Sequence, residues 1–159
     1  MKLELDDLDR RILNALQTDA SQTNHQLAES VHASPPTCLR RVRRLTEAGV
    51  IVRQVALLDT DKLASTLTAI VEITLDRQGD EEQQAFEALV VGEPAVQQCY
   101  RVSPGPDFVL VVLVADMPAY HALAHRLFAS QKNVRNVRSY FSVLRSKFET
   151  AVPIGMPKE

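Results

Sequence analysis

Apolar residues recur at intervals of three and four through the first fifty residues of the chain, which is the spacing of half-buried helices. The first run consists of Leu5, Leu8, Ile12, Leu13 and Leu16. Asp6 stands just ahead of this run, where its carboxylate can accept hydrogen bonds from the unpaired N–H groups of a first helical turn. The pattern therefore predicts a helix that begins after Asp6.

Two further helix starts follow within the same fifty residues. Thr23 and Gln26 have the spacing of a capping box ahead of Leu27. Ser34 stands before Pro35, which fits the first position of a helix because the N–H that proline lacks has no partner there. The third helix is expected to run to Gly49. Three short helices with a tight turn between the second and third predict a helix-turn-helix unit.

From residue 50 the period falls to two, which is the period of strands. We expect an extended segment from Val50 to Leu58, a polar connection over residues 59–62 and a first strand over residues 67–75. A helix capped by Asp80 and a helix opened by Asp116 alternate with the remaining strands. Those strands are predicted over residues 96–103, 107–115 and 134–148, with Pro104-Gly105-Pro106 as the turn of a hairpin.

The order βαββαβ predicts a ferredoxin-like sandwich, in which two helices cover one face of a four-stranded antiparallel sheet. The fold class is thus α+β, with an N-terminal helix-turn-helix domain and a C-terminal ferredoxin-like domain. The expected boundaries are residues 1–50 for the first domain, 51–66 for a hinge strand and linker, 67–148 for the second domain and 149–159 for a C-terminal tail.

One strand of the predicted sheet is apolar on both faces. In residues 108–115 both alternating sets of side chains are apolar, yet the two helices can cover only one side of a sheet. A bare apolar face of that size exceeds what a soluble monomer usually exposes, so self-association is the economical explanation. The alternative is that the linker or the first domain of the same chain covers this face.

Composition narrows the possible functions of the chain. It has 159 residues and a formal net charge of -2, which is too near neutrality for a protein that coats nucleic acid indiscriminately. Its longest apolar run, over residues 108–115, is far shorter than the ~20 residues of a membrane-spanning helix. The N-terminal sequence turns acidic where a signal peptide would turn apolar, so we expect no membrane association and a cytoplasmic location.

A local basic patch stands out against the near-neutral total. Between Ser34 and Arg53 there are five arginines and one acidic residue, Glu47. The third predicted helix places Cys38, Val42 and Leu45 on one face and Thr37, Arg40 and Arg44 on the opposite face. Arginine suits DNA because its planar guanidinium grips phosphate or the guanine edge with two hydrogen bonds, and a helix of this type fits a major groove.

This arrangement predicts binding to double-stranded DNA, with different roles along the helix. Thr37, Arg40 and Arg44 are expected at base edges or nearby phosphates, and Pro36 at a thymine methyl, while Arg43 and Arg53 are expected to hold phosphates. The complete set of candidate DNA-binding residues is Ser34, Pro36, Thr37, Arg40, Arg41, Arg43, Arg44 and Arg53. A solvated basic helix face is the alternative interpretation of the same charges.

Catalytic and metal chemistry find little support in the sequence. His121 and His125 have the i, i+4 spacing of a metal pair, but Ala122 stands where a zinc protease needs glutamate and no third ligand is evident. Cys38 is expected in the core, and Cys99 has no base near it in sequence. The chain also lacks a glycine-rich phosphate loop and a GxSxG motif. We expect no enzyme activity, no catalytic residue, no metal site and no cofactor.

Several motifs carry a resemblance to a known family. They are Leu5-Asp6-Asp7-Leu8-Asp9-Arg10-Arg11-Ile12-Leu13, Ser34-Pro35-Pro36-Thr37-Cys38-Leu39-Arg40-Arg41-Val42-Arg43-Arg44-Leu45, Gly49-Val50-Ile51, Val71-Glu72-Ile73, Val102-Ser103, Asp107-Phe108 and Arg138-Ser139-Tyr140. In these stretches the chain resembles the Lrp/AsnC, or feast/famine, transcription regulators. The resemblance implies a helix-turn-helix domain, a hinge strand and a βαββαβ domain that dimerises. It also implies a larger assembly, such as an octamer, that binds an amino acid or related small effector between dimers.

The resemblance also implies where the effector is held. The corresponding positions are Tyr100, Val102, Ser103, Gly105, Asp107 and Ser139, with Asp107 accepting from an α-ammonium group and Ser103 and Gly105 donating to a carboxylate. The family usually has glycine directly after the serine or threonine that ends the second strand, whereas here Pro104 takes that place and the glycine follows it. Val137 replaces a residue that is often threonine or serine. The alternative for Asp107 is that it only stabilises the proline-rich turn.

The functional prediction is therefore a sequence-specific, DNA-binding transcriptional regulator that acts as a dimer or higher oligomer and responds to an amino acid or a related small effector. A two-fold dimer implies DNA half-sites about 10 bp apart, or a multiple of that spacing. The alternative from another class is a small-molecule sensor or interaction protein without effector-controlled DNA binding.

Overall fold

The chain divides into two compact units. The computed structural model describes residues 3–63 and 66–155, with Asp61 described by its backbone alone. The first unit contains residues 3–57 together with residues 147–155, and the second contains the described part of residues 58–146. Our predicted ranges also extend over residues 1–2, 64–65 and 156–159, which lie outside the described residues.

The first unit is built on the three predicted helices. They are α1 (Asp7–Thr18), α2 (Asn24–Ser30) and α3 (Pro35–Glu47). Their expected caps are confirmed, because the side chains of Asp6, Thr23 and Ser34 each accept a hydrogen bond from the main-chain N–H three residues later. The helices enclose a small core formed by Ile12, Leu13, Leu27, Ala28, Val31, Cys38 and Leu45.

The C-terminal segment packs with the first unit and is not a separate tail. Ile154 contacts the core of the helices. The side-chain amide of Gln17 donates to the carbonyl of Val152 (3.1 Å) and accepts from its N–H (2.6 Å). Arg10 donates to the carbonyl of Gly155 (3.0 Å). The first unit is consequently assembled from both ends of the described chain.

The second unit contains the predicted ferredoxin-like sandwich. Its strands are β1 (Leu67–Leu75), β2 (Val96–Arg101), β3 (Phe108–Val114) and β4 (Val134–Phe141), all paired antiparallel in the order β2-β3-β1-β4. A four-residue helix, α4 (Thr60–Leu63), precedes them, and the longer helices are α5 (Asp80–Val91) and α6 (Met117–Ala124). α6 continues into a π-helical turn over His125–Ala129.

One face of this sheet forms the larger core of the protein. Alternate residues of β1 and β3 point to α5 and α6 and are buried, as the period of two predicts. Phe108 lies under α5, where its ring centroid is 5.0 Å from that of Phe86. The fully enclosed side chains include Ala69, Val71, Ile73, Leu110, Val112, Val90 and Phe128.

The opposite face of the sheet is open and apolar, as the doubly apolar strand predicted. Val111 lies near its centre, paired with Ile70 on β1. Ile70, Tyr100 and Tyr140 remain 43%, 52% and 50% exposed. We call this surface the open sheet face, and its apolar members are Ile70, Tyr100, Val109, Val111, Leu113 and Tyr140.

Several predicted element boundaries differ from the structure. Gly79, and not Asp80, occupies the N-cap position of α5, so no side chain caps the start of this helix. β4 ends at Phe141, because the chain then leaves the sheet and joins the first unit a few residues later. β2 ends at Arg101 instead of Ser103. Residues 60–62 of the predicted polar connection belong to α4, while residues 52–59 carry no regular hydrogen-bonded structure.

None of the helices within residues 3–63 and 66–155 combines the length and the apolar content that a bilayer crossing requires.

Candidate functional site

The helix-turn-helix is held in shape by hydrogen bonds at both ends of α3. At its start, the Asn24 side chain donates to the carbonyl of Pro35 (2.9 Å), which fastens α2 to α3. His32 adopts a positive φ of 55° in the turn between these helices. At its end, Gly49 has a φ of 71°, and the N–H of Val50 donates to the carbonyl of Leu45 (2.9 Å), which closes the helix.

A buried carboxylate on α1 fixes the rotation of α3. Asp9 is completely buried, and its carboxylate forms ion pairs with two arginines of α3. Nη1 of Arg41 lies 3.3 Å from its Oδ1, and Nη2 of Arg44 contacts its Oδ2. Arg41 also pairs with Asp6. The main-chain N–H of Asp9 and the guanidinium of Arg41 together hold the pKa of the Asp6 carboxyl below its ordinary value. Two arginines of α3 are therefore engaged in ion pairs with α1 while remaining partly exposed.

The outward face of α3 differs from the one predicted by helical periodicity. Arg44, expected beside Arg40 on the outer face, turns its guanidinium to Asp9. Leu39, expected at the edge of the core, is 53% exposed. The reason is that the long Arg44 side chain reaches from the helix to the buried Asp9 carboxylate, while Cys38 and Leu45 remain in the core as predicted. Pro36, Leu39, Arg40 and Arg43 are exposed, and we call them the outer face of α3.

Periodicity alone could have revealed this interaction. Asp9 lies between Leu5 and Ile12 at the spacing of the buried stripe of α1. A carboxylate in such a stripe requires a cationic partner from a neighbouring element, because an unpaired buried charge is strongly unfavourable. The basic helix α3 carries Arg41 and Arg44, which can supply that cationic partner. Leu39 is the residue of the outer face that the sequence analysis missed.

The remaining candidate DNA-binding residues lie around the outer face. Thr37 is half-buried, and its hydroxyl accepts from Ser34 (2.9 Å) at the start of α3. Arg53 is exposed in the segment that follows α3. In the part of the chain that the structure describes, Arg40, Arg43 and Arg53 form no ion pair with an acidic side chain. Their guanidinium groups are therefore directed to solvent.

In the second unit, Asp107 is buried at the start of β3. Its Oδ2 accepts from the N–H of Leu75 (2.7 Å) and from the side chain of Gln78 (3.2 Å). Its own N–H donates to the carbonyl of Ile73 (2.8 Å). These bonds join the end of the hairpin to the end of β1, so Asp107 has a structural role whatever else it contacts.

The other hairpin residues proposed for effector binding are mostly exposed. Tyr100 lies on β2, where its hydroxyl donates to Gln98 (2.9 Å). Val102 is half-buried, and its N–H donates to the carbonyl of Asp107 (3.0 Å). Ser103 precedes Pro104 through a cis peptide bond, and Gly105 has a φ of 121°, which favours glycine.

Ser139 lies on the last strand of the sheet, which does not pair with the hairpin strands β2 and β3. It is on β4, which is the edge strand opposite β2, and it is paired with Val71 in the middle of β1. Its hydroxyl forms a hydrogen bond with that of Tyr120 on α6. The predicted effector residues consequently fall into two places, the hairpin end and the helix-covered side of β4.

The nucleophile and metal candidates gain no chemical support. Cys38 is fully buried, and burial raises the pKa of its thiol. Burial also raises the pKa of Cys99. Within the described residues, no three histidine, cysteine or acidic side chains are grouped closely enough to hold a metal ion.

Comparison with known proteins identifies both units. A model of the Lrp/AsnC ligand-binding domain matches residues 68–152, and a model of a winged helix-turn-helix DNA-binding domain matches residues 5–52. The chain belongs to the Lrp/AsnC family. It is therefore a transcriptional regulator with a DNA-binding domain and a ligand-binding domain, as the motifs predicted. The expectation that it is not an enzyme agrees with a family made up of transcriptional regulators.

Individual relatives match along almost the whole chain. The leucine-responsive regulatory protein of Rhizobium meliloti is 36% identical, over 97% of this chain and 99% of its own. The crystal structure of an AsnC family regulator from Agrobacterium tumefaciens has a TM-score of 0.87 at 37% identity, covering 94% of this chain and 97% of that one. A Neisseria meningitidis regulator in complex with L-Met has a TM-score of 0.86 at 30% identity, with the same coverage.

The pairing between α1 and α3 predicts unequal effects of two substitutions. Arg44→Ala leaves the buried Asp9 carboxylate with Arg41 as its arginine partner, and we expect a loss of about 1–3 kcal/mol in the free energy of unfolding. Asp9→Asn should cost less, because both arginines are partly exposed and can turn to water. Urea unfolding at neutral pH measures both, and Arg11→Ala on the exposed side of α1 is the control. Equal stability of all three variants would contradict the assigned role of Asp9.

Proposed function

We propose that this regulator binds double-stranded DNA by placing the outer face of α3 in the major groove. The observation that carries the proposal is the division of the arginines, in which Arg41 and Arg44 hold the helix and Arg40 and Arg43 remain directed to solvent. A helix that is fixed in rotation loses less conformational freedom when it docks, so its outward side chains can distinguish bases. Such a regulator acts on chromosomal DNA, and we place it in the cytoplasm.

The residue roles follow from their position on α3. Arg40 lies one turn beyond the start of the helix and is assigned to a base edge, with Pro36 and Leu39 able to contact thymine methyl groups. Arg43 and Arg53 are assigned to phosphates, which give affinity without sequence preference. Ser34 and Thr37 present hydroxyls at the helix start, and the Thr37 hydroxyl, which accepts from Ser34, can donate to a phosphate oxygen. Arg44 and Arg41 are assigned to positioning.

Single substitutions on α3 test this assignment. Arg40→Ala should weaken binding to the specific site by about 5- to 150-fold and relax preference at one base pair. Arg43→Ala should weaken binding to all sequences and reduce the salt slope by about one unit. The readout is fluorescence anisotropy at several salt concentrations, with fragments adjoining the regulator's own gene as first targets.

Arg11→Ala is the matched control, because it removes one exposed arginine from α1 and should leave binding unchanged. Unchanged affinity and preference in both α3 variants would show that α3 does not read the DNA. Failure of the wild-type chain to bind genomic fragments at low salt would favour the alternative, a small-molecule sensor without DNA affinity.

We also propose that the chain self-associates through its open sheet face, as a dimer that can build a larger assembly such as an octamer. Burying the apolar side chains of that face against a second copy removes them from water, which is favourable by about 25 cal/mol per Å². A two-fold dimer places two copies of α3 on successive major-groove faces, about 10 bp apart or a multiple of that distance.

A charge placed in the open sheet face should prevent this association. Val111→Lys puts an ammonium group beside Ile70 at the centre of the face, where no acidic partner is opposite it in the sheet register. Light scattering at micromolar concentration should report an oligomer for the wild type and a species near 17.7 kDa for the variant. Val91→Lys, which changes an exposed valine on α5, is the control. A monomeric wild type, or a Val111→Lys variant of unchanged mass, would contradict the proposal.

The second unit is further proposed to bind an amino acid or related effector that changes DNA binding. Supporting this are the ligand-binding family model over residues 68–152 and the L-Met complex of the Neisseria regulator. The hairpin residues Tyr100, Val102, Ser103, Gly105 and Asp107 are the first candidates for contacts. A ligand acts only if it prefers one quaternary arrangement over another.

A thermal-shift screen of the twenty amino acids tests the effector proposal. A ligand that binds the folded state alone raises the unfolding midpoint as its concentration rises above its Kd. Gly105→Ala should reduce the shift, because the φ of 121° at this position opposes any residue with a Cβ. Gly155→Ala, in the first unit, is the control. The absence of any shift at millimolar concentration would leave a DNA-binding regulator without an amino-acid effector.

A further inference from the structure

A groove in the second unit runs between α6 with its π-helical turn and the edge strand β4. Its volume is about 630 Å³. Its border includes Tyr120, His121, His125, Phe128, Arg135 and Ser139. We call it the β4 groove. It contains Ser139 and none of the hairpin residues 100–107, so it is a separate place on the domain.

Two backbone features shape the β4 groove. In the π-helical turn, the N–H of Ser130 donates to the carbonyl of His125 (3.1 Å), five residues back. This wider turn displaces His125 and Phe128 from the positions that an uninterrupted α-helix would give them, and such turns are frequent at functional sites. On the other side, β4 pairs with β1 alone in the four-stranded sheet, so the main-chain groups along its outer edge are not paired with another strand of that sheet.

The polar groups around the groove favour an anion. Arg135 carries a permanent positive charge, and His121 and His125 add imidazole N–H donors one helical turn apart. The hydroxyls of Tyr120 and Ser139 share one hydrogen bond, which uses one of their two protons and leaves the other able to donate to a ligand. No aspartate or glutamate is among the described residues that border the groove.

The rest of the lining is apolar. Phe128 is almost completely buried and forms the floor, and Val134 and Val137 line the wall on β4. A mixture of an apolar floor with a few convergent polar groups is typical of sites for small organic ligands. The apolar part accommodates a short hydrocarbon body, and the donors accommodate a charged end.

We propose that the β4 groove binds a small organic carboxylate with a short apolar side chain. The proposal rests on the inference that the second unit binds a small effector, and it names a site and a ligand class for that unit. Two kinds of molecule carry this chemistry, an apolar amino acid and the corresponding 2-oxo acid. Because the groove offers no carboxylate to pair with an ammonium group, it favours the 2-oxo acid.

Histidine NMR on the full chain tests the site directly. The sequence has four histidines, of which His121 and His125 border the groove while His25 and His32 lie in the first unit. With ¹³Cε1-labelled histidine, assigned by single His→Gln variants, titration with 4-methyl-2-oxopentanoate should shift the signals of His121 and His125. The signals of His25 and His32 should move much less. L-Leucine is the second arm and should bind more weakly.

Arg135→Ala measures the contribution of the cation. Calorimetry should show that the variant binds 4-methyl-2-oxopentanoate about 10- to 100-fold more weakly, because a charge-assisted hydrogen bond to the carboxylate is lost. Lys132→Ala is the matched control, since it removes an exposed positive charge just before β4 without touching the groove. Unfolding midpoints of both variants show that the fold is retained.

The outcomes of these experiments distinguish the proposed carboxylate site in the β4 groove from the broader proposal that the second unit binds an effector. No binding of either compound at 10 mM, or binding that is unaffected by Arg135→Ala and leaves His121 and His125 unshifted, overturns the β4 groove as a carboxylate site. An effect of amino acids on DNA binding under those conditions would leave the effector proposal standing. Leucine binding at the groove more tightly than its 2-oxo acid would overturn the ligand preference alone.

Discussion

The DNA-binding unit depends on one buried carboxylate. Asp9 accepts hydrogen bonds from the guanidinium groups of Arg41 and Arg44 and thereby fixes the face that α3 turns to solvent. The pairing is strongly asymmetric, because the arginines reach water and the carboxylate does not. These charge-assisted hydrogen bonds add a directional constraint to the apolar packing of α3 through Cys38 and Leu45. The proposed recognition of DNA by α3 relies on this internal contact.

The structure of the second unit depends on a different constraint: a sheet has two faces, and the two helices of this unit can cover only one of them. Two helices cover one face and the core is complete, so the apolar side chains of the other face have no role within the single unit. The same unit has its polar chemistry at two edges, around Asp107 at the hairpin and along β4. One face of the sheet is thus covered by helices, and the other is open and apolar. This arrangement suits a protein that self-associates, as proposed above, and also binds a ligand.

Sequence patterns predicted the architecture because its determinants are local. Capping side chains at Asp6, Thr23 and Ser34 and the alternation over residues 67–75 depend on neighbours along the chain. The position of the Arg44 guanidinium was predicted wrongly because it depends on a distant partner, a carboxylate 35 residues away. The end of β4 was also predicted wrongly, because the strand stops at Phe141 although residues 142–148 include enough apolar side chains for a strand. The identities of the ligand contacts are of this non-local kind.

The return of residues 147–155 to the helices has a consequence for how the protein is made. In sequence, the ligand-binding unit is an insertion within the DNA-binding unit, which Ile154 and Val152 complete. During synthesis from the N-terminus, the inserted unit emerges and can fold while the first three helices still lack their last contacts. A fragment that stops at residue 57 therefore lacks the contacts that residues 147–155 make with the helices.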